Sequence, residues 1–118
     1  MTEKTGILKR LDQIDFHDIP VEQISFQTEP STELRVDFAL YVEEKEDYDH
    51  WTLQFGEVQE LKSEGLHLNV QSDFEIYRFD YVLHSLFECK LLFLLGLGQS
   101  SYEVNLTCKN IELHRRIK

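Results

Sequence analysis

Imidazole and carboxylate stand side by side at two places in this chain, His17-Asp18 and Asp47-Tyr48-Asp49-His50. A zinc site needs three or four convergent ligands, and a calcium loop needs regularly spaced oxygens around a sharp glycine turn. Neither stretch has that spacing. His17-Asp18 reads as a turn whose carboxylate accepts backbone N–H bonds, and the second stretch as part of a solvated polar loop over residues 44–50. His84 and Glu88 would share a face only on a helix, and His67 falls on the polar side of a short alternating stretch, as a surface histidine. Cys108 alternates with apolar neighbours from Tyr102 onward, a pattern of core packing and not of an activated nucleophile. Gly96-Leu97-Gly98 lacks the third glycine and the following helix of a dinucleotide fingerprint. No Ser, His and Asp set and no partnered carboxylate pair stands out. The chain is therefore expected to have no catalytic residues, metal or cofactor, and to be no enzyme.

The elements that would hold these residues are strands. Leu34, Val36, Phe38, Leu40 and Val42 fall on one side of an extended chain, with Arg35, Asp37, Ala39 and Tyr41 on the other. A period of two is a strand with one face in a core. Ile24 and Phe26 alternate in the preceding stretch, but Val21 is out of phase, which predicts a bulge or a strand start near Glu22. Residues 21–27 and 34–43 should form a hairpin about Glu29-Pro30-Ser31-Thr32. Trp51, Leu53 and Phe55 alternate again, and Gly56 within that pattern suggests a kink or bulge. Lys62-Ser63-Glu64-Gly65 reads as a turn before a short strand over 66–70. In residues 73–82, Phe74, Ile76 and Val82 face one way and Tyr77, Phe79 and Tyr81 the other, so that strand is central or covered on both faces. The run from Leu86 to Leu95 suits strand or helix by periodicity, and its bounding turn signals favour strand. Gly96 to Ser101 would be a hairpin loop before residues 102–108, after which Ile111 and Leu113 continue with shifted phase. Ile7, Leu8, Leu11 and Ile14 describe one short amphipathic helix over one mouth or edge of the sheet, with Thr5 as its cap.

The expected fold is all-β, mainly antiparallel, as a sandwich or partly open barrel with one short N-terminal helix. Residues 1–118 make one domain: the helix over 1–14, the β domain over 15–114 and a basic tail over 115–118. The N-terminus has no apolar stretch of a secretory signal, and no run reaches the roughly 18 apolar residues of a membrane span. Cys89 and Cys108 are the only cysteines, both in apolar segments, so two reduced thiols in a cytoplasmic protein are expected.

Charge is the most unusual bulk property. The formal net charge is −10, and between Asp12 and Asp80 eighteen Asp or Glu face four Lys or Arg. Such a surface repels nucleic acid and anionic membrane and favours basic partners, although it would also keep a sheet-rich protein soluble. Nucleic-acid binding needs aromatics interleaved with Lys and Arg, whereas Tyr41, Tyr77 and Phe79 sit among carboxylates. The expected contact surface is a sheet face and loop, with Glu43, Glu44, Glu46, Asp47 and Asp49 for steering and Tyr41, Tyr48 and Trp51 as anchors.

The box Phe16-His17-Asp18, then Pro20-Val21, Ile24, Phe26 and Leu53-x-Phe55-Gly56-x-Val58-x-x-Leu61, resembles small bacterial all-β proteins of the polymorphic-toxin immunity type. So does the ending from Tyr102 to Leu113. The resemblance implies a binding protein that neutralises a toxin, with no catalytic residues to carry over and with Phe16, His17 and Asp18 as a signature of the fold. The reading set against it is a structural or ligand-holding β-barrel, dimeric through the strand Leu91-Leu92-Phe93-Leu94-Leu95.

Overall fold

A computed structural model describes residues 2–64, 74–95 and 100–116. It contains helix α1 (Thr2–Asp12) and six strands: β1 (Ile19–Gln27), β2 (Glu33–Val42), β3 (Asp47–Glu64), β4 (Phe74–Leu83), β5 (Phe87–Leu95) and β6 (Ser100–Arg116). All neighbours pair antiparallel, in the order β1-β2-β3-β6-β5-β4, and β4 returns to β1 to close a barrel. The all-β expectation holds, but the sheet is neither a sandwich nor partly open. Closure rests on a short seam, Ile19, Pro20 and Val21 against Ile76, Glu75 and Phe74.

Alternation sets which side chains fill the interior. Val36, Phe38, Leu53, Phe55, Ile76, Phe87, Leu91, Phe93 and Cys108 are essentially inaccessible to solvent. Each large apolar side chain so buried contributes roughly 1.5–3 kcal/mol. Where alternation breaks, the backbone supplies the reason. The β1–β2 register shifts between Val21 and Gln23, as the phase of Val21 predicts. In β4 the shift lies between Ile76 and Arg78, so Ile76 points inward before it, Phe79 points inward after it, and Tyr77 is exposed. A bulge, and not a second covered face, therefore explains the two apolar phases of that strand.

β3 is longer than its sequence suggests. It runs unbroken through His50 and Lys62-Ser63-Glu64, so the polar loop shrinks to residues 43–46 and the turn at 62–64 is strand. Phe55 and Val58, three apart, are both buried, because the chain bends at Gly56 and Glu57, the latter with φ 51°. Opposite them Cys108 and Ile111 are also buried three apart, with Gly56 paired to Asn110. Both strands turn together, which accounts for the shifted phase of Ile111 and Leu113. β6 continues to Arg116, so Arg115 and Arg116 are strand residues and not a tail.

α1 begins at Thr2, which places Thr5 inside the helix and not at its cap. Ile7 and Leu11 bury into the core, Arg10 donates to the Leu113 carbonyl at 2.9 Å, and the Tyr81 hydroxyl donates to Asp12 at 2.6 Å. The helix is thereby held to β6 and β4 at the barrel end where β1 begins. Burial and the hydrogen bond to Asp12 push the Tyr81 phenol up from its ordinary value. The expected strand over 66–70 with His67, and the loop 96–99, lie outside the described residues.

The two thiols face the interior from neighbouring strands, Cys89 opposite Leu106 and Cys108 opposite Phe87. Neither forms a disulfide. A hydrogen bond to Cys108 and then burial push the Cys89 thiol well above its ordinary value, so it is a poor nucleophile. A water-soluble disulfide reagent should label both cysteines in denaturant and react with the native chain more slowly by about two orders of magnitude. Fast native labelling, followed by mass spectrometry, would contradict this packing.

Candidate functional site

Two side-chain constellations lie on the outside of the barrel near the start of β1. The first is the end of the β2–β3 hairpin. Val42 pairs with Asp47 across a four-residue turn in which Lys45 N–H donates to the Val42 carbonyl and Glu46 N–H to the Glu43 carbonyl. Turns of this length close tightly when one residue adopts a left-handed conformation, here Glu46 at φ 53°. Tyr41 and Tyr48 are cross-strand partners, with rings edge to face at 5.3 Å. Their relative exposures of 54% and 44% mark them as large aromatics held in solvent. Glu43, Glu44, Glu46 and Asp47 are all exposed beside them.

Asp49 differs from the other acids. Lys45 reaches it across the turn, and Arg115 donates to its Oδ1 at 3.1 Å. The Lys45 hydrogen bond foremost, with the nearby cations, outweighs the cost of burial and holds the Asp49 carboxyl below its usual range. Asp49 is thus a neutralised strut of the hairpin, while the four exposed carboxylates have no cation against them among the described residues. Trp51, the third expected anchor, is half-buried and packs against the core.

Sequence reasoning missed the second constellation. The bulge in β1 turns Glu22 outward, where it takes a hydrogen bond from Arg116 and contacts His50 Nδ1 at 2.9 Å. Arg116 also donates to the Trp51 carbonyl at 3.0 Å and to the Phe38 carbonyl at 3.4 Å. Below this lies Asp37, a buried acid that accepts from Thr52 at 2.6 Å and Arg35 at 3.1 Å. Burial pushes the Glu22 carboxyl up, but the hydrogen bonds from Arg116 and His50 outweigh it and hold it below its usual value. The signal available in sequence was the phase break at Glu22; nothing local pointed to Arg116, 94 residues away.

The Phe16-His17-Asp18 box divides by role. Phe16 is buried, edge-on to Phe38 at 5.7 Å and to Phe79 at 5.1 Å. His17 and Asp18 contact each other at 3.2 Å with more than half of each side chain exposed, and Asp18 takes φ 58° to turn the chain into β1. His84 and Glu88 approach only to 3.9 Å across the β4–β5 turn. Among the described residues no three His, Cys, Asp or Glu side chains converge as a metal site. No helix among them is long and apolar enough to cross a membrane. Comparison with protein-family models, curated proteins and solved structures finds no match to this chain.

Proposed function

We propose that this chain is a non-enzymatic acidic binding protein that captures a basic protein partner through the end of its β2–β3 hairpin. The observation that carries the reading is the exposed Tyr41–Tyr48 pair beside Glu43, Glu44, Glu46 and Asp47, with the turn's only cation, Lys45, already engaged by Asp49. Aromatic side chains supply contact area at low entropic cost, and the uncompensated carboxylates steer a cationic surface toward them. The resemblance carried by Phe16-His17-Asp18 adds the class of partner: a toxin that the chain neutralises in the cytoplasm.

Two further features support a binding role over the alternatives. A barrel interior filled by Phe38, Phe55, Phe87 and Phe93 favours a scaffold over a ligand container. β5 is paired on both sides, to β4 and β6, so the edge pairing behind a dimer through residues 91–95 is already used within one chain.

The test is capture from a lysate of the source cells on the immobilised chain, then kinetics with the retained protein. The retained protein should be basic, and its expression should cause a growth defect that co-expression of this chain relieves. Glu43→Lys, Glu44→Lys and Glu46→Lys together should slow association at low salt by roughly tenfold or more and flatten its salt dependence. Association rates that ignore both ionic strength and the reversal would sink the reading.

A further inference from the structure

The hairpin end does not stand alone. Between it and the connector that leads from α1 into β1 runs a groove of about 740 Å³, open to solvent. Asp15 and Asp18 come to it from the connector, Tyr41, Glu43 and Tyr48 from the hairpin, and Glu75 from β4 beside the barrel seam. Neither Lys nor Arg appears among the described residues that line it. Asp18 faces His17, and Asp49, which also lines the groove, is held by Lys45 and Arg115, but no described cation stands against Asp15, Glu43 or Glu75. Trp51 reaches the groove as well.

We infer that this groove holds an arginine side chain presented by the protein partner. The inference rests on the proposed capture of a basic partner and names where its cation goes. Aromatic rings beside unpaired carboxylates suit a guanidinium better than an ammonium, because the planar group stacks on a ring face while its N–H fork reaches carboxylate oxygens. Tyr41 and Tyr48 meet edge to face at 69°, which leaves ring faces available for stacking. Charge at the hairpin turn would guide the partner in, and the groove would fix its register.

Trp51 is the only tryptophan of the chain and lines the groove, so its fluorescence reports occupancy. Titration with tetra-arginine amide should give a saturable shift in Trp51 emission, with tetra-lysine amide weaker and tetra-glutamate silent. The pair Asp15→Asn and Glu75→Gln should weaken the arginine peptide by about tenfold, as should Tyr41→Ala, with thermal melts confirming that each variant folds. Glu112→Gln, outside the groove, should leave it unchanged. If the groove variants bind normally and Glu44→Lys with Glu46→Lys abolishes binding, the groove assignment is overturned while capture through the turn stands. If the groove variants lose the peptide but the lysate yields no basic partner, the groove stands and the capture reading falls. No emission shift with any cationic peptide, together with no heat of binding by calorimetry, overturns the groove assignment.

Discussion

Phe16→Ala should destabilise the chain by about 3–5 kcal/mol, the usual cost of deleting a buried aromatic ring from a packed core. The same substitution at His17 should change stability by no more than about 0.5 kcal/mol, because an exposed side chain makes few contacts to lose. Phe16 sits where the connector from α1 meets the barrel end, and its ring touches Phe38 of β2 and Phe79 of β4. Phe79 in turn packs edge to face against Phe55 of β3 at 5.8 Å. One ring therefore joins a chain of aromatic contacts across three strands, and edge-to-face pairs add to simple area burial. The closing seam between β1 and β4 is only three residue pairs long, so packing at this end carries stability that hydrogen bonds there do not. Denaturant melts of the two variants check the contrast. A Phe16→Ala loss as small as that of His17→Ala would show that the ring is not a plug of the core.

Most of the barrel wall is written in the alternation of its apolar residues. β2 was legible because five apolar side chains in a row keep one phase, and the bulge at Glu22 because one residue breaks it. β4 was ambiguous for the same reason: its bulge falls in mid-strand, where aromatics occupy both phases and hide the shift. Closure left no mark at all. It depends on Ile19 meeting Ile76, and a local pattern says nothing of a pairing between residues so far apart. The hairpin acids could be named from sequence, yet only the fold separates Asp49, held by Lys45 and Arg115, from Glu43 and Glu44, which face solvent. Polar residues on an outward strand face look like a loop or a tail, which is why His50 and Arg116 were misplaced. Their partners come from other strands, and spacing along the chain does not encode them.

Arg116→Ala should lower stability by about 1–2 kcal/mol and flatten its dependence on acid pH, the larger figure being tempered by the partial exposure of the pair. The guanidinium links the end of β6 to Glu22 of β1 and to carbonyls of β2 and β3, so its loss removes contacts to three strands at once. Asp37 would keep Arg35 and Thr52, which limits the damage to a partly buried acid network instead of leaving a lone buried charge. The sign of the pH effect follows from Glu22, whose carboxyl the folded chain holds below its ordinary value. On acidification the unfolded chain takes up this proton first. The contribution is therefore complete above the ordinary carboxylate range and disappears as pH falls through the depressed folded value. Thermal melts from neutral to acid pH should show wild type losing more stability than Glu22→Gln or Arg116→Ala, and the double variant should lose no more than either single one. Parallel acid profiles for all four proteins would mean that Glu22 and Arg116 are not coupled in solution, and that something other than this clamp holds the last strand against the bulge in the first.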